Sequence, residues 1–169
     1  MWRINVILLT GLIGVPPAWA ADAEKQPVQV EADRLEIDEQ RDLSIYQGNV
    51  LIIQGELRLQ ADRVEIRGAQ GKAEQMIATG KPVKFQSRPA KGGKPVNGEA
   101  GRLEYVLNDD VVTLIDNAKL TQDQDVFSSE RIQYDRKRSL IKGGAAVGGT
   151  RIRMLIQPKD KTPDKTPAP

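Results

Sequence analysis

Two carboxylates come nearest to chemistry in this chain. Glu36 and Glu65 are a pair of the kind that glycoside hydrolysis uses, one acid to protonate a leaving group and one base or nucleophile opposite it. Both fall on the outward phase of alternating segments, and nothing near them suggests a raised pKa, so hydrolysis is not the expectation. The rest of the inventory is more decisive. The chain has no His and no Cys, which excludes Ser-His-Asp and Cys-based nucleophiles and any zinc site built on those ligands. No catalytic residue, metal or cofactor is expected. The cations Arg67, Lys72, Lys81, Lys84, Arg88, Lys91 and Lys94 lie near turns or at strand ends, where an Arg can grip phosphate bidentately and a Lys acts as a mobile point charge. The ordinary alternative is solvated charge that protects sheet edges.

Charge balance and composition narrow the partners. Lys plus Arg number 25 against 23 acidic residues, and aromatics make up 4% of the chain. Neither a basic surface nor a stacking platform for bases is provided, so nucleic acid is not an expected partner. Without cysteine the fold must be held by extended burial and sheet hydrogen bonds.

The elements that position these residues repeat. Ala32-Asp33-Arg34-Leu35-Glu36-Ile37 returns as Ala61-Asp62-Arg63-Val64-Glu65-Ile66, as Ala100-Gly101-Arg102-Leu103-Glu104-Tyr105 and as Ser129-Glu130-Arg131-Ile132-Gln133-Tyr134. The shared Arg recurs at intervals of 29, 39 and 29 residues, so the second pair copies the first. Such duplication stacks one supersecondary unit on copies of itself. Within the units the dominant period is two, as in 57–61, 64–66, 83–85, 103–107, 132–134 and 152–156, and no helical stretch of useful length is visible. Turn chemistry at Gln47-Gly48-Asn49, Gln54-Gly55, Arg67-Gly68, Thr79-Gly80-Lys81-Pro82, Asn108-Asp109-Asp110, Asp116-Asn117 and Gly143-Gly144 predicts short strands of about 8 to 12 residues from turn to turn. Asp33-Arg34 and Asp62-Arg63 interrupt the alternation by one residue, the signature of a β-bulge or corner.

Three segments stand apart. Residues 1–20 combine Arg3, the apolar run 4–15 and small residues at Ala18 and Ala20, which predicts a signal peptide cleaved before Ala21. Residues 88–95 are rich in Lys and Gly and predict a hairpin loop at the seam of the duplication. From Pro158 to Pro169 the chain has four prolines and no bulky apolar side chain, which predicts a disordered tail. The domain itself is expected over 21–157.

The residues resemble a known family. Val28-Gln29-Val30-Glu31-Ala32-Asp33, Tyr46-Gln47-Gly48-Asn49-Val50, Ala61-Asp62-Arg63-Val64, Gly80-Lys81-Pro82 with Phe85, Gly93-Lys94-Pro95-Val96 with Gly98, and 100–105 follow in the order and spacing of the OstA-like lipopolysaccharide-transport proteins. The resemblance covers roughly 27–156. It implies an all-β, repeat-built antiparallel β-jelly roll, elongated and open at both ends, acting in the periplasm. It further implies an apolar interior that receives the acyl chains of lipid A, with members stacked between an LptC-like inner-membrane protein and an LptD-like outer-membrane protein.

In such a jelly roll inward positions alternate with outward ones, so Val28, Val30, Leu57, Leu59, Val64, Ile66, Phe85, Leu103, Tyr105 and Leu107 can line one trough. The same side chains could instead fill a closed core. Arg67, Lys72 and Lys84 are the candidates for contact with the phosphorylated head group. A structural adaptor that carries no lipid, or an LptC-like component, are the alternatives to a carrier. The open ends predict head-to-tail self-association, with the strand near 28–32 at one edge and 152–156, beside the glycine-rich 143–149, at the other.

Overall fold

A computed structural model describes residues 26–70, 72–88, 94–144 and 151–157. The expected signal peptide, the centre of the 88–95 loop and the tail from Pro158 lie outside the described residues. Among the described residues ten strands form one antiparallel sheet: β1 (Gln29–Glu31), β2 (Arg34–Asp38), β3 (Leu43–Gln54), β4 (Leu57–Ala69), β5 (Lys72–Ser87), β6 (Val96–Val106), β7 (Val111–Gln122), β8 (Asp125–Asp135), β9 (Leu140–Gly143) and β10 (Arg153–Leu155). Strands β3 to β8 meander, each paired with the next. β1 and β2 are two arms of one edge strand, since both pair with β3, and β9 and β10 share β8 in the same way at the other edge.

Every long pairing slips register near its middle, and these central slips line up across the sheet. They fall at Gly48-Asn49, Ala61-Asp62, Gly80-Lys81-Pro82, Ala100-Gly101, Asp116-Asn117 and Glu130. The repeated arginines border this line: Arg34 pairs with Gln47, Arg63 with Gln47 and Thr79, Arg102 with Thr79 and Ile115, and Arg131 with Ile115. The interruption expected at Asp33-Arg34 and Asp62-Arg63 therefore belongs to a corner that runs the length of the molecule.

Three expected turns are not turns. Gln47-Gly48-Asn49, Thr79-Gly80-Lys81-Pro82 and Asp116-Asn117 lie inside β3, β5 and β7, and those strands run 12, 16 and 12 residues. Their turn chemistry makes a bend instead of a reversal, because pairing resumes on both sides. Gly48, Asn49, Asp116 and Asn117 all take left-handed backbone, with φ of 78°, 48°, 67° and 54°, and inserted residues of this kind kink a strand and sharpen its twist. Asp33 fastens the first corner: its amide donates to Gly48 O at 3.0 Å and its Oδ2 accepts from Asn49 Nδ2 at 2.9 Å. A side chain at Gly48 would collide with that carboxylate.

The corner divides the sheet into two leaves that fold face to face. The first comprises β2, 43–47, 63–69, 72–79, 102–106, 111–115, 131–135 and β9; the second comprises β1, 50–54, 57–61, 83–87, 96–100, 118–122, 125–129 and β10. Gly98 marks their contact, since a Cβ there would stand 2.8 Å from Leu114 Cδ1 of the opposite leaf and 3.5 Å from its own neighbour Phe85. The inner faces are close-packed, with Val64, Leu103, Leu114 and Ile132 of the first leaf and Ile52, Leu59, Phe85 and Leu120 of the second all buried. Replacing Leu103 with Ala is expected to cost about 2–5 kcal/mol of unfolding free energy by urea titration; a loss below about 1 kcal/mol would mean the leaves are not packed as described.

Candidate functional site

Pairing register turns the period-two pattern into rows that cross the whole sheet. In the second leaf Val30, Ile52, Leu59 and Phe85 are successive partners, followed by Gly98, Leu120, Phe127 and Met154. In the first leaf one row leads from Leu35 through Tyr46, Val64 and Ala78 to Leu103, Leu114 and Ile132. A second leads from Ile37 through Ser44, Ile66 and Met76 to Tyr105, Val112, Tyr134 and Ile141. Paired residues share a face, so these rows form one apolar interior running from edge to edge.

Of the residues picked out for this interior, Leu57, Leu59, Val64, Phe85 and Leu103 are buried in it, while Val30, Ile66, Tyr105 and Leu107 are half-buried and pack against them. Val28 precedes β1 and is 52% exposed, outside the packed region. Ile52, Leu114, Leu120, Ile132 and Tyr134 are equally interior and were missed. Val50-Leu51-Ile52-Ile53 is an unbroken apolar run, and Val111-Val112-Thr113-Leu114-Ile115 is interrupted only by Thr113, so neither phase can be read; Ile132 and Tyr134 were legible as the fourth copies of Val64 and Ile66.

The three head-group candidates do not converge. Arg67 and Lys72 flank the same hairpin at the tip of the first leaf, and Arg67 is paired with Glu65 at 3.3 Å. Lys84 lies on the outer face of the second leaf. There it lines two open polar depressions, of about 440 and 470 Å³, one beside Arg58, Gln86 and Glu99 and the other beside Glu31, Asp62 and Lys81.

The outer face carries ion pairs produced by the repeat itself. Arg63 Nη2 lies 2.9 Å from Glu65 Oε1, and Arg102 Nη2 lies 2.8 Å from Glu104 Oε1. Residues two apart share a strand face, so the recurring Arg-x-Glu makes the same bridge in successive units. The hydrogen bond from Arg63 holds the Glu65 carboxyl below the usual carboxylate range, outweighing burial. That is the reverse of what a general acid needs, and Glu36 is exposed on the edge strand.

A polar cluster closes the long side opposite the corner. Arg136, in the β8–β9 turn, donates through Nη1 to Asp110 Oδ1 at 2.7 Å and to Tyr105 Oη at 2.9 Å, and through Nε to Ser87 Oγ at 3.0 Å. Tyr105 Oη donates to the same Asp110 oxygen at 2.8 Å, and the guanidinium lies 5.9 Å from the Tyr105 ring centroid. Ser87 ends β5 at the tip of the second leaf, whereas Tyr105, Asp110 and Arg136 belong to the tip of the first. The cluster therefore ties one leaf to the other. Burial pushes the Tyr105 hydroxyl up to about 12, with the positive charge of Arg136 opposing the rise.

Comparison with known proteins bears on these features together. The family model described as LptA/(LptD N-terminal domain) LPS transport protein matches residues 29–139. The lipopolysaccharide export system protein LptH of Pseudomonas aeruginosa is 32% identical over 161 residues, 90% of this chain and 92% of that protein. The lipopolysaccharide export system protein LptA of Escherichia coli K12 is 32% identical over 98% of this chain and 92% of its own length. The crystal structure of P. aeruginosa LptH, titled a periplasmic component of the lipopolysaccharide transport device, superposes with a TM-score of 0.74 at 30% identity, covering 80% of this chain and 99% of that one. The likeness to that structure bears out the all-β sheet with unclosed edges.

The raised hydroxyl of Tyr105 sets a pH dependence. Its neutral form is favoured in the folded state, so its contribution to stability is complete below the unfolded value near 10 and is lost as pH rises through about 12. Urea midpoints measured from pH 9 to 12 are expected to fall more steeply in the parent than in Tyr105→Phe over the upper part of that range. Parallel curves would show that the hydroxyl titrates normally.

Proposed function

The chain belongs to the LptA/(LptD N-terminal domain) family of lipopolysaccharide-transport proteins, and we propose that it carries lipopolysaccharide across the periplasm with the lipid A acyl chains held in its apolar interior. The observation that carries this reading is the state of the row ends. Leu35 and Ile37 at the β2 edge are 55% and 59% exposed, and Met154 at the β10 edge is 51% exposed, though all three lie on rows whose middles are buried. A closed core would cap its own ends; here the apolar surface continues to both edges.

Hydrocarbon burial supplies the affinity. At roughly 0.8 kcal/mol per CH₂, one fourteen-carbon chain left in water costs on the order of 10 kcal/mol. The effect has no preferred direction, so an interior of uniform lining lets a lipid slide with small barriers. Because the interior side chains are already buried against one another, acyl chains enter only as the two leaves part. Val30, Ile66, Tyr105 and Leu107, half-buried at its margins, are met first, and Leu57, Leu59, Val64, Phe85 and Leu103 form the floor; Val28 extends the lining at the N-terminal edge. The carrier itself is not an enzyme; the work of export is done at the membranes it connects.

The exposed edges serve assembly. β1 and β2 take an LptC-like inner-membrane protein, β10 takes an LptD-like outer-membrane protein, and each edge also accepts the opposite edge of another copy. Unlike edges joined head to tail do not close on themselves, so copies add in line and the interiors become continuous. In this reading residues 1–20 act as the signal peptide that delivers the chain to the periplasm, and the domain over 21–157 does the carrying.

A photo-crosslinking residue at Phe85 or Tyr105 is expected to label lipopolysaccharide; labelling at outward Glu104 with none at either would overturn the assignment of the interior and favour an adaptor. Truncation from Gly143 is expected to leave a folded domain that no longer self-associates with rising concentration. Undiminished oligomers of the truncated chain by light scattering would move the interface elsewhere.

A further inference from the structure

The cluster at the leaf tips has more donors than its own contacts use. Arg136 and Asp110 are each only 17% exposed, yet Arg136 Nη2 donates to no described residue. Tyr134 Oη is buried without a hydrogen-bond partner. Ser139 and the charges of Arg136 and Asp110 act on this phenol, but none reaches bonding geometry. Burying a hydroxyl without a hydrogen-bond partner is unfavourable. Arg136 is followed by Lys137, whose ammonium donates to the Asn108 carbonyl at 2.9 Å and has no carboxylate partner among the described residues. Spare guanidinium donors beside an orphan phenol, with the Lys137 ammonium on the same turn, are complementary to an oxyanion.

Position selects the oxyanion. The corner closes one long side of the interior, so a lipid lying inside can present its sugar end only along the opposite side, where the leaf tips meet. Arg136 stands on that line with Ser87 on the other leaf. Asp110 already supplies a carboxylate to the guanidinium, from a backbone held in the left-handed region at φ 57°, where a non-glycine residue is strained.

Resting on the carrier function proposed above, we infer that Arg136, Lys137, Tyr134 and Ser87 form a subsite for a phosphomonoester on the sugar end of the carried glycolipid. Asp110 is the internal anion that occupies Arg136 until the lipid displaces it. None of Arg67, Lys72 or Lys84 lies in this cluster.

The test compares binding of bisphosphorylated lipid A and of dephosphorylated lipid A with the same acyl chains, to the full mature chain. The parent is expected to prefer the phosphorylated lipid by about tenfold or more, one charge-assisted bidentate contact. Arg136→Gln should reduce that ratio to near one, and Arg136→Lys should keep part of it. Asp110→Asn should raise affinity for the phosphorylated lipid several-fold by removing the competitor, a gain that a merely structural ion pair would not give. Lys119→Gln, on the outer face of the second leaf, should leave the ratio unchanged. Full preference in a folded Arg136→Gln, or weaker phosphorylated-lipid binding in a folded Asp110→Asn, would overturn the subsite. A parent that binds both lipids equally also overturns it while leaving the carrier function intact; a parent that binds neither refutes both. Inorganic phosphate alone should bind far more weakly than the lipid, and equal affinity would make this a free-anion site.

Discussion

The whole molecule depends on one registered defect. A meandering antiparallel sheet has two faces, and a sheet of this length that stayed flat would leave its apolar face in water. Here the bulges of successive strands align into a single corner, so the apolar face folds onto itself and buries Val64, Leu103, Leu114, Leu59, Phe85 and Leu120 without a second sheet or a helix. Because the fold is across the strands, burial is complete in the middle of the meander and incomplete at its two edges. The exposed Leu35, Ile37 and Met154 are the direct consequence, and in the proposed head-to-tail assembly they let the interior continue into a neighbour.

The duplication explains why the defect is registered. Each copy brings its own Arg beside the bulge, and the second and third copies add an Arg-x-Glu bridge on the outer face. A unit that repeated without the bulge at the same offset would break the corner and expose core. The repeat period is therefore a mechanical requirement as well as an evolutionary trace.

Much of this was legible before the structure. Alternation at 57–59, 64–66 and 103–105 placed Leu57, Leu59, Val64, Ile66, Leu103 and Tyr105 on the inner face, and the phase slips at Asp33-Arg34 and Asp62-Arg63 located the corner. The corner residues of β3, β5 and β7 misled, because Gly48-Asn49, Gly80 with Pro82, and Asp116-Asn117 have the composition of chain reversals, and local chemistry does not distinguish a bend from a turn. The leaf-tip cluster was not legible at all. Ser87, Tyr105, Asp110 and Arg136 meet only because the tips of the two leaves close on each other and bring together residues distant in sequence, Ser87 and Arg136 being 49 residues apart. Nor could spacing alone reveal that Arg67 and Lys72 share a hairpin while Lys84 sits on the other leaf.

In the proposed mode of carriage acyl chains occupy the space between the two leaves, which part to admit them. Because the chain has no cysteine, spin labels can be placed cleanly on outward positions of opposite leaves, at Glu104→Cys and Lys119→Cys, and the distance between them measured by pulsed electron resonance. Adding lipopolysaccharide is expected to shift the distribution outward by several ångströms, about the thickness of an inserted hydrocarbon layer against the roughly 10 Å spacing of packed sheets, whereas the deacylated sugar portion leaves it in place. A distribution unchanged by saturating lipopolysaccharide would contradict the account.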